Sequence, residues 1–509
     1  MNVNKKKSDE IMLIKKFFLG TLLIFGVHYN LFATDKAKDK AVFISGRIST
    51  NTDSVRLFIG FWDHFITGQG KEYSTRYVQV DKSGKFELKL PPIKHPYRLH
   101  IEDALSNNIL FDRNQIAEPG DSVYIIGKIR DQQQFSEENF TAKFEGKGAA
   151  KYNCYQALKL VDDVVLRMVQ QTTADRVRKA DSLINVKERI LSGYKKDISD
   201  EVYQIMSADL IGNIKYTVLA TEAGGNGASK ENNELLNAFL ARRPSIPDQI
   251  LAQSVGYIQF LYLKAKQEVI TANHGKPYGM KQLYHKLKTE YSGRLREQLV
   301  AGYLLNELEV GVARQEDIDA YTYCLRDAVS MTETQWLKSP LEKLLKTKGK
   351  GAPAFNFTLP VDTTAKFLSL SDLKGKVVLI DMWSYICTGC YRFAGAFHEK
   401  VYPKFKEKDF KVVSIMLDRF AGKTQYKGRL RGEKGPAYTF PEYINLYGGK
   451  DEHVGRQIEE HYNIGAFPAI LLIDKQGRIF SATVPFFDGP DSENVDKLIE
   501  LIEKALAQS

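Results

Sequence analysis

From Val377 to Phe393 the chain reads Val-Val-Leu-Ile-Asp381-Met-Trp383-Ser-Tyr-Ile-Cys387-Thr-Gly-Cys390-Tyr-Arg-Phe, and no other stretch constrains the fold as strongly. Val377 to Ile380 is an unbroken apolar run rich in β-branched residues, the pattern of a strand buried on both faces. The spacing after Cys387 suits a helix. Two cysteines three apart therefore stand at a strand-to-helix junction. There, unpaired backbone N–H groups and the positive end of the helix dipole favour a thiolate, the form that attacks disulfides.

The chain has 509 residues, 43% of them apolar and 11% aromatic, enough for more than one packed core. The formal charge of +10 arises from 72 basic and 62 acidic residues spread along the whole chain. That distribution is an ordinary solvated surface and gives no nucleic-acid footprint. Only four cysteines occur, Cys154, Cys324, Cys387 and Cys390, too few for a disulfide scaffold of this length. Cys154 and Cys324 lie in helical patterns and read as buried small hydrophobes, a bridge between them being the alternative.

The N-terminus carries an address. Lys5 to Lys7 and Lys15-Lys16 precede Phe17–Val27, an apolar run short for a membrane span, and Ala33 follows. Residues 1–33 are expected to be a secretory signal peptide, or failing cleavage an anchor that tethers the chain to the membrane. Either case puts the rest of the protein in the periplasm or cell envelope.

Residues 40–145 show short alternating strands with turn signals, such as Phe86, Leu88 and Leu90 between Lys85, Glu87 and Lys89 after Asp81-Lys-Ser-Gly84. We expect an all-β sandwich here. His64, His95 and His100 have no metal-type spacing and read as surface or packing residues. From 146 to 345 the period changes to three and four, as in Tyr155, Leu158, Val161, Val165 and Met168, and predicts an all-α region. A basic linker, Lys346–Gly351, leads into residues 349–509. There, strands alternate with helices: Val377–Trp383 and Lys411–Leu417 as buried strands, Ala469–Asp474 with Arg478–Val484 as a last hairpin. The chain is thus expected to be multidomain, ending in an α/β domain.

Four motifs in this last part carry a resemblance: Leu370–Trp383, Cys387-Thr-Gly-Cys390, Tyr462-Asn-Ile-Gly-Ala-Phe467-Pro468 and Leu472–Ile479. Together they resemble the thioredoxin-like domain of exported TlpA-like thiol-disulfide oxidoreductases. The residues before them are similar, more loosely, to the N-terminal extensions of Gram-negative envelope members. The resemblance implies an enzyme that exchanges disulfides with protein thiols and is served by a membrane or envelope electron-donor protein. It needs no metal and no organic cofactor.

Site assignments follow from both sources. Cys387, at the first helical turn, is the candidate nucleophile, and Cys390, one turn inward, would resolve the mixed disulfide. A zinc half-site would need two further ligands at short spacing, and none follows. Asp381, at the strand end beneath the dithiol, could take or return the proton of Cys390. A plain backbone-bonded aspartate is the alternative. By resemblance, Pro468 is a cis proline against the disulfide, and the backbone of Phe467 pairs with an extended substrate. Trp383 packs near the pair, by resemblance or simply as core.

Ile386 stands where relatives usually have Trp, and Gly389 replaces the usual Pro, which should alter the redox potential. Gly422–Gly449, with Lys423, Lys427, Arg429, Arg431 and Lys434, reads as an enlarged, solvated loop beside the site. Two other functions remain open. A peroxiredoxin would place Pro and Thr where Ile380 and Ser384 stand. A non-catalytic envelope binding protein would have no use for the dithiol.

Overall fold

The structure, a computed structural model, describes residues 40–508 apart from 50–54, 63–73, 104–108, 130–139, 162–163, 168–170, 224–229, 308–317, 431–435 and positions 277, 363, 419, 483, 488 and 491. The expected signal or anchor at 1–33 lies outside the described residues, as do His64, Arg431 and Lys434.

Alternation of apolar and polar residues drives the N-terminal part into strands: β1 (Lys40–Ser49), β2 (Arg56–Trp62), β3 (Ser74–Gln79), β4 (Lys85–Ile93), β5 (Tyr97–Asp103), β6 (Ile109–Ala117), β7 (Ser122–Ile129) and β8 (Phe140–Lys147). They form two four-stranded sheets, ordered β4-β1-β7-β8 and β3-β2-β5-β6. In β4, Phe86, Leu88 and Leu90 are buried while Lys85, Glu87 and Lys89 face solvent, as the period of two requires. The turn before it is built by Asp81, whose carboxylate accepts from the N–H groups of Ser83 and Lys85. The sequence pattern had no signal for β6 and β8. The run Asp-Arg-Asn-Gln dilutes the first, and Phe144 is the one buried residue among the described side chains of the second. His100 is buried and bonds Glu102 at 2.9 Å.

The helices that follow belong to a second compact unit with the C-terminal sheet. They are α1 (Ala149–Lys159), α2 (Thr173–Gly193), α3 (Asp200–Ala223), α4 (Lys230–Ala241), α5 (Asp248–Leu251), α6 (Val255–Ala272), α7 (Met280–Glu290), α8 (Gly293–Glu307), α9 (Ile318–Met331) and α10 (Gln335–Lys348). The periodicity from Gln249 to Val269 is one pattern in sequence but two helices in space. Ser254 caps α6 by accepting from Tyr257 N, and its own hydroxyl donates to the buried Asp209. Cys154 and Cys324 are both buried and not joined to one another. The expected linker at Lys346–Gly351 is shorter than its composition suggests. α10 runs to Lys348, and Lys350 is bonded to α9 through Thr322 and Asp319.

Helices α3 and α6 meet backbone to backbone at glycine. A Cβ on Gly212 would lie 2.2 Å from Tyr257 N, which no rotamer can relieve. Gly212→Ala should therefore cost about 3 kcal/mol, the upper end of ordinary overpacking, and lower the urea midpoint. Gly193→Ala, with nothing near its added Cβ, is the control and should leave the midpoint in place or raise it.

The C-terminal part opens with a hairpin of β9 (Thr358–Pro360) and β10 (Phe367–Ser369). Then come β11 (Val377–Trp383), α11 (Thr388–Lys400), β12 (Phe410–Asp418), α12 (Lys423–Leu430), β13 (Ile444–Gly449), α13 (His453–His461), β14 (Ala469–Ile473), β15 (Ile479–Ser481) and α14 (Asn494–Ala507). The five-stranded sheet is ordered β13-β12-β11-β14-β15. Every residue of the central strand β11 is buried, which is why it reads as an unbroken apolar run. One sheet face is covered by Phe393, Phe397 and Leu498 from α11 and α14, the other by Ile458 of α13 with Phe357 and Leu359. This C-terminal domain is thioredoxin-like.

Candidate active site

β11 runs parallel to β12 and antiparallel to β14, and the register pairs Asp381 with Ser414 and with Ile470. Met382 pairs with Ala469, so the loop ending in Phe467-Pro468 arrives beside the end of β11 and the turn that carries the cysteines. The Phe467–Pro468 bond is cis.

The chain leaves β11 through Ser384–Ile386 and enters α11 with Cys387 as the N-cap. Cys387 Sγ accepts from Cys390 N at 3.1 Å, so the first cysteine occupies the position where an N-cap oxygen usually sits. Its sulfur thus lies at the positive end of a 13-residue helix. Cys387 and Cys390 are joined in a disulfide with Cα atoms 5.4 Å apart. Cys390 is fully buried and Cys387 only partly, so a partner can reach one sulfur and not the other. A Cβ on Gly389 would lie 3.6 Å from both Pro468 Cδ and Phe486 Cζ. The cis proline therefore borders the turn between the cysteines.

Asp381 lies on the same strand face as Val377 and Leu379, which pack against Phe393 and Phe397 of α11. It is 4% exposed, and its Oδ1 has no hydrogen-bond partner. Burial pushes its carboxyl up to about 7. At neutral pH it can therefore hold or release a proton.

Trp383 is buried and anchored by its indole N–H, which donates to Ser414 Oγ at 2.9 Å. Tyr426 stacks on it at 6.1 Å and Tyr438 lies against it at 5.1 Å. The Arg429 guanidinium sits over the rings of Tyr385 and Tyr438 at 4.7 and 4.8 Å. The described residues of the segment read as a solvated loop include α12 and β13, and its rings Tyr426, Tyr438 and Tyr447 pack around Cys390 of the dithiol. Sequence reasoning saw only its basic residues. Tyr426 and Tyr438, set among them, were the available signal.

A second anchor was also missed. Asp418, at the end of β12, accepts from Ser384 Oγ and Tyr385 N on one oxygen and from Phe420 N and Ala421 N on the other. Burial raises its carboxyl, but the N–H groups of Phe420, Ala421 and Tyr385 and the Ser384 hydroxyl outweigh burial and hold it below the usual range. It stays ionised and ties the loop before Cys387 to the loop after β12. Between these loops and Phe467 opens a cavity of about 500 Å³, with Ile386 80% exposed and Phe420 89% exposed at its rim. Among the described residues no group of three or more His, Cys, Asp or Glu is placed to hold a metal ion. No described helix is long and apolar enough to cross a membrane.

Residues 349–481 match the AhpC/TSA family. The chain is 30% identical over 158 residues to thiol-disulfide oxidoreductase ResA of Bacillus thuringiensis (strain Al Hakam), covering 30% of this chain and 79% of that protein. It is 30% identical over 158 residues to ResA of Bacillus anthracis, again covering 30% and 79%. Among solved structures, the thioredoxin domain of a Bacteroides vulgatus thiol-disulfide oxidoreductase is 27% identical, covers 31% of this chain and 97% of that one, and superposes with a TM-score of 0.25. Through its C-terminal part, the chain belongs to the ResA/TlpA-like family of thiol-disulfide oxidoreductases, enzymes of thioredoxin fold.

Proposed function

We infer that this enzyme exchanges disulfides with protein substrates in the cell envelope, through Cys387 and Cys390. The observation that carries the reading is the asymmetry of the pair: a reachable sulfur at a helix start and a fully buried one, with a buried carboxyl, without a hydrogen-bond partner on Oδ1, on the strand that leads into their turn. The Cys387 thiolate attacks one substrate sulfur, the substrate S–S bond breaks, and the departing sulfur takes a proton from solvent. Cys390 then gives its proton to Asp381 and attacks Cys387. The intramolecular disulfide forms, and the second substrate sulfur leaves as thiolate. Two electrons pass from the dithiol to the substrate, and an envelope electron-donor protein returns them.

Phe467 offers its backbone to an extended substrate beside Pro468, and Trp383 holds the turn in place. The alternating burial in the N-terminal strands supports a sandwich domain over 40–145, followed by a helical domain over 146–345 and the catalytic domain over 349–509. Lys5–Lys16 with Phe17–Val27 supports export to the periplasm, by a cleaved signal or a retained tether.

The test supplies the dithiol form with a protein disulfide and, separately, with hydrogen peroxide. Stoichiometric reduction of the protein disulfide with little peroxide consumption is expected. Rapid peroxide consumption without disulfide exchange would favour the peroxidase reading, and inertness toward both would favour a binding protein.

A further inference from the structure

The cavity of about 500 Å³ beside the dithiol has walls that the exchange chemistry does not use. Its lining takes in Ser384, Tyr385 and Ile386, the three residues before Cys387, and Phe467 before the cis proline. An extended chain advances about 3.3 Å per residue, so a side chain within two residues of a cysteine bonded to Cys387 reaches this space. What it would accept follows from the walls.

Two of those walls are apolar and open to solvent, Ile386 at 80% exposure and Phe420 at 89%. They stand on the two loops that Asp418 fastens, one through Ser384 Oγ and Tyr385 N, the other through Phe420 N and Ala421 N. One carboxylate thus sets both rims. Tyr385 and Phe467 add aromatic rings to the lining. Walls of this kind cover a hydrocarbon stem or the flat face of a guanidinium.

The carboxyls of Asp418 and Glu459 also line the cavity, and none of the described lining residues is Lys, Arg or His, although the chain as a whole carries +10. The hydrogen bonds that hold Asp418 come from neutral donors, three backbone N–H groups and one hydroxyl. Those dipoles stabilise its charge without cancelling it. The field that remains favours a cation and disfavours another carboxylate. A side chain that is apolar along its stem and positive at its end answers both kinds of wall, and lysine and arginine have that form.

From this arrangement we propose that the cavity is a specificity subsite of the exchange reaction, taking a lysine or arginine side chain that neighbours the reacting cysteine of the substrate protein. The inference rests on the reading that Cys387 exchanges disulfides with proteins, and it narrows them to those whose exchanged cysteine lies in a basic segment. Ile386 and Phe420 hold the stem. Asp418 holds the positive end through its charge, since its lone pairs are already taken.

The full chain in its dithiol form, mixed with peptide disulfides, tests the subsite through the second-order rate of exchange. The peptides differ at one position beside the cysteine, tried in turn on each side of it: arginine against citrulline, which has the same shape and no charge. The arginine peptide should react roughly fivefold faster, and added salt should shrink that ratio. Asp418→Asn should bring the ratio close to one. Slackened loops alone would slow both peptides and leave the ratio in place, so the ratio separates charge from scaffold. Phe420→Ser should slow both peptides alike, about threefold, because it removes a wall against the stem and not the charge. A wild-type ratio near one, a ratio that salt does not change, or one that survives Asp418→Asn would overturn the subsite while leaving the exchange reading intact. Failure to react with any of the peptides would overturn the exchange reading itself.

Discussion

Asp381→Asn should make the protein more stable and less active at once. A carboxyl whose pKa rises on folding, here from 3.8 to about 7, binds its proton more tightly in the native state than in the unfolded one. Its contribution is therefore least unfavourable below about pH 4 and worsens as pH climbs toward 7, because the native site resists ionisation. A shift of that size corresponds to at most about 4 kcal/mol at pH 8. Asparagine keeps the shape and removes the charge, so urea unfolding at pH 8 should show a gain of roughly 1–4 kcal/mol that fades toward pH 4. Disulfide exchange at neutral pH should fall by about a hundredfold, the usual worth of a positioned acid–base group. A stability gain independent of pH would instead mean that the carboxyl is not the buried, proton-holding group described here.

Cys387→Ala should abolish exchange, dropping turnover by about a thousandfold or more, because no other exposed sulfur adjoins Pro468. Cys154 and Cys324 are buried, and burial pushes the Cys154 thiol up to about 12, so neither can substitute. The loss should come without unfolding. Cys387 lies at the edge of the aromatic cluster around Trp383, and its removal takes only one capping acceptor, worth about 1 kcal/mol, together with the constraint of a very short disulfide loop. The comparison of rate and urea midpoint on one variant separates chemistry from folding.

How much of this was legible beforehand depended on whether the signal was local. β11 and its dithiol were readable because full burial leaves an apolar run, and because a helix start and its N-cap lie a few residues apart in sequence. The place of Asp381 followed from its position in that run. The cis bond before Pro468 came from resemblance alone, since a proline at a strand start has no local signature of its isomer. What failed was what the fold assembles from distant segments. Trp383, Tyr426 and Tyr438 meet only because β11 and β12 are neighbours and α12 folds back over them, and basic residues on α12 mask its aromatic face. Asp418 was hidden for the same reason: its four donors come from the loop after β11 and the loop after β12.

The central claim is that a substrate sulfur bonds Cys387 and is released by Cys390. The direct measurement is intact-protein and peptide mass spectrometry of Cys390→Ser after reaction with a disulfide-bonded protein. A stable adduct of one substrate chain per enzyme, mapped to Cys387, is the result predicted. An adduct on Cys154 or Cys324, or no adduct with the substrate disulfide still intact, would contradict it.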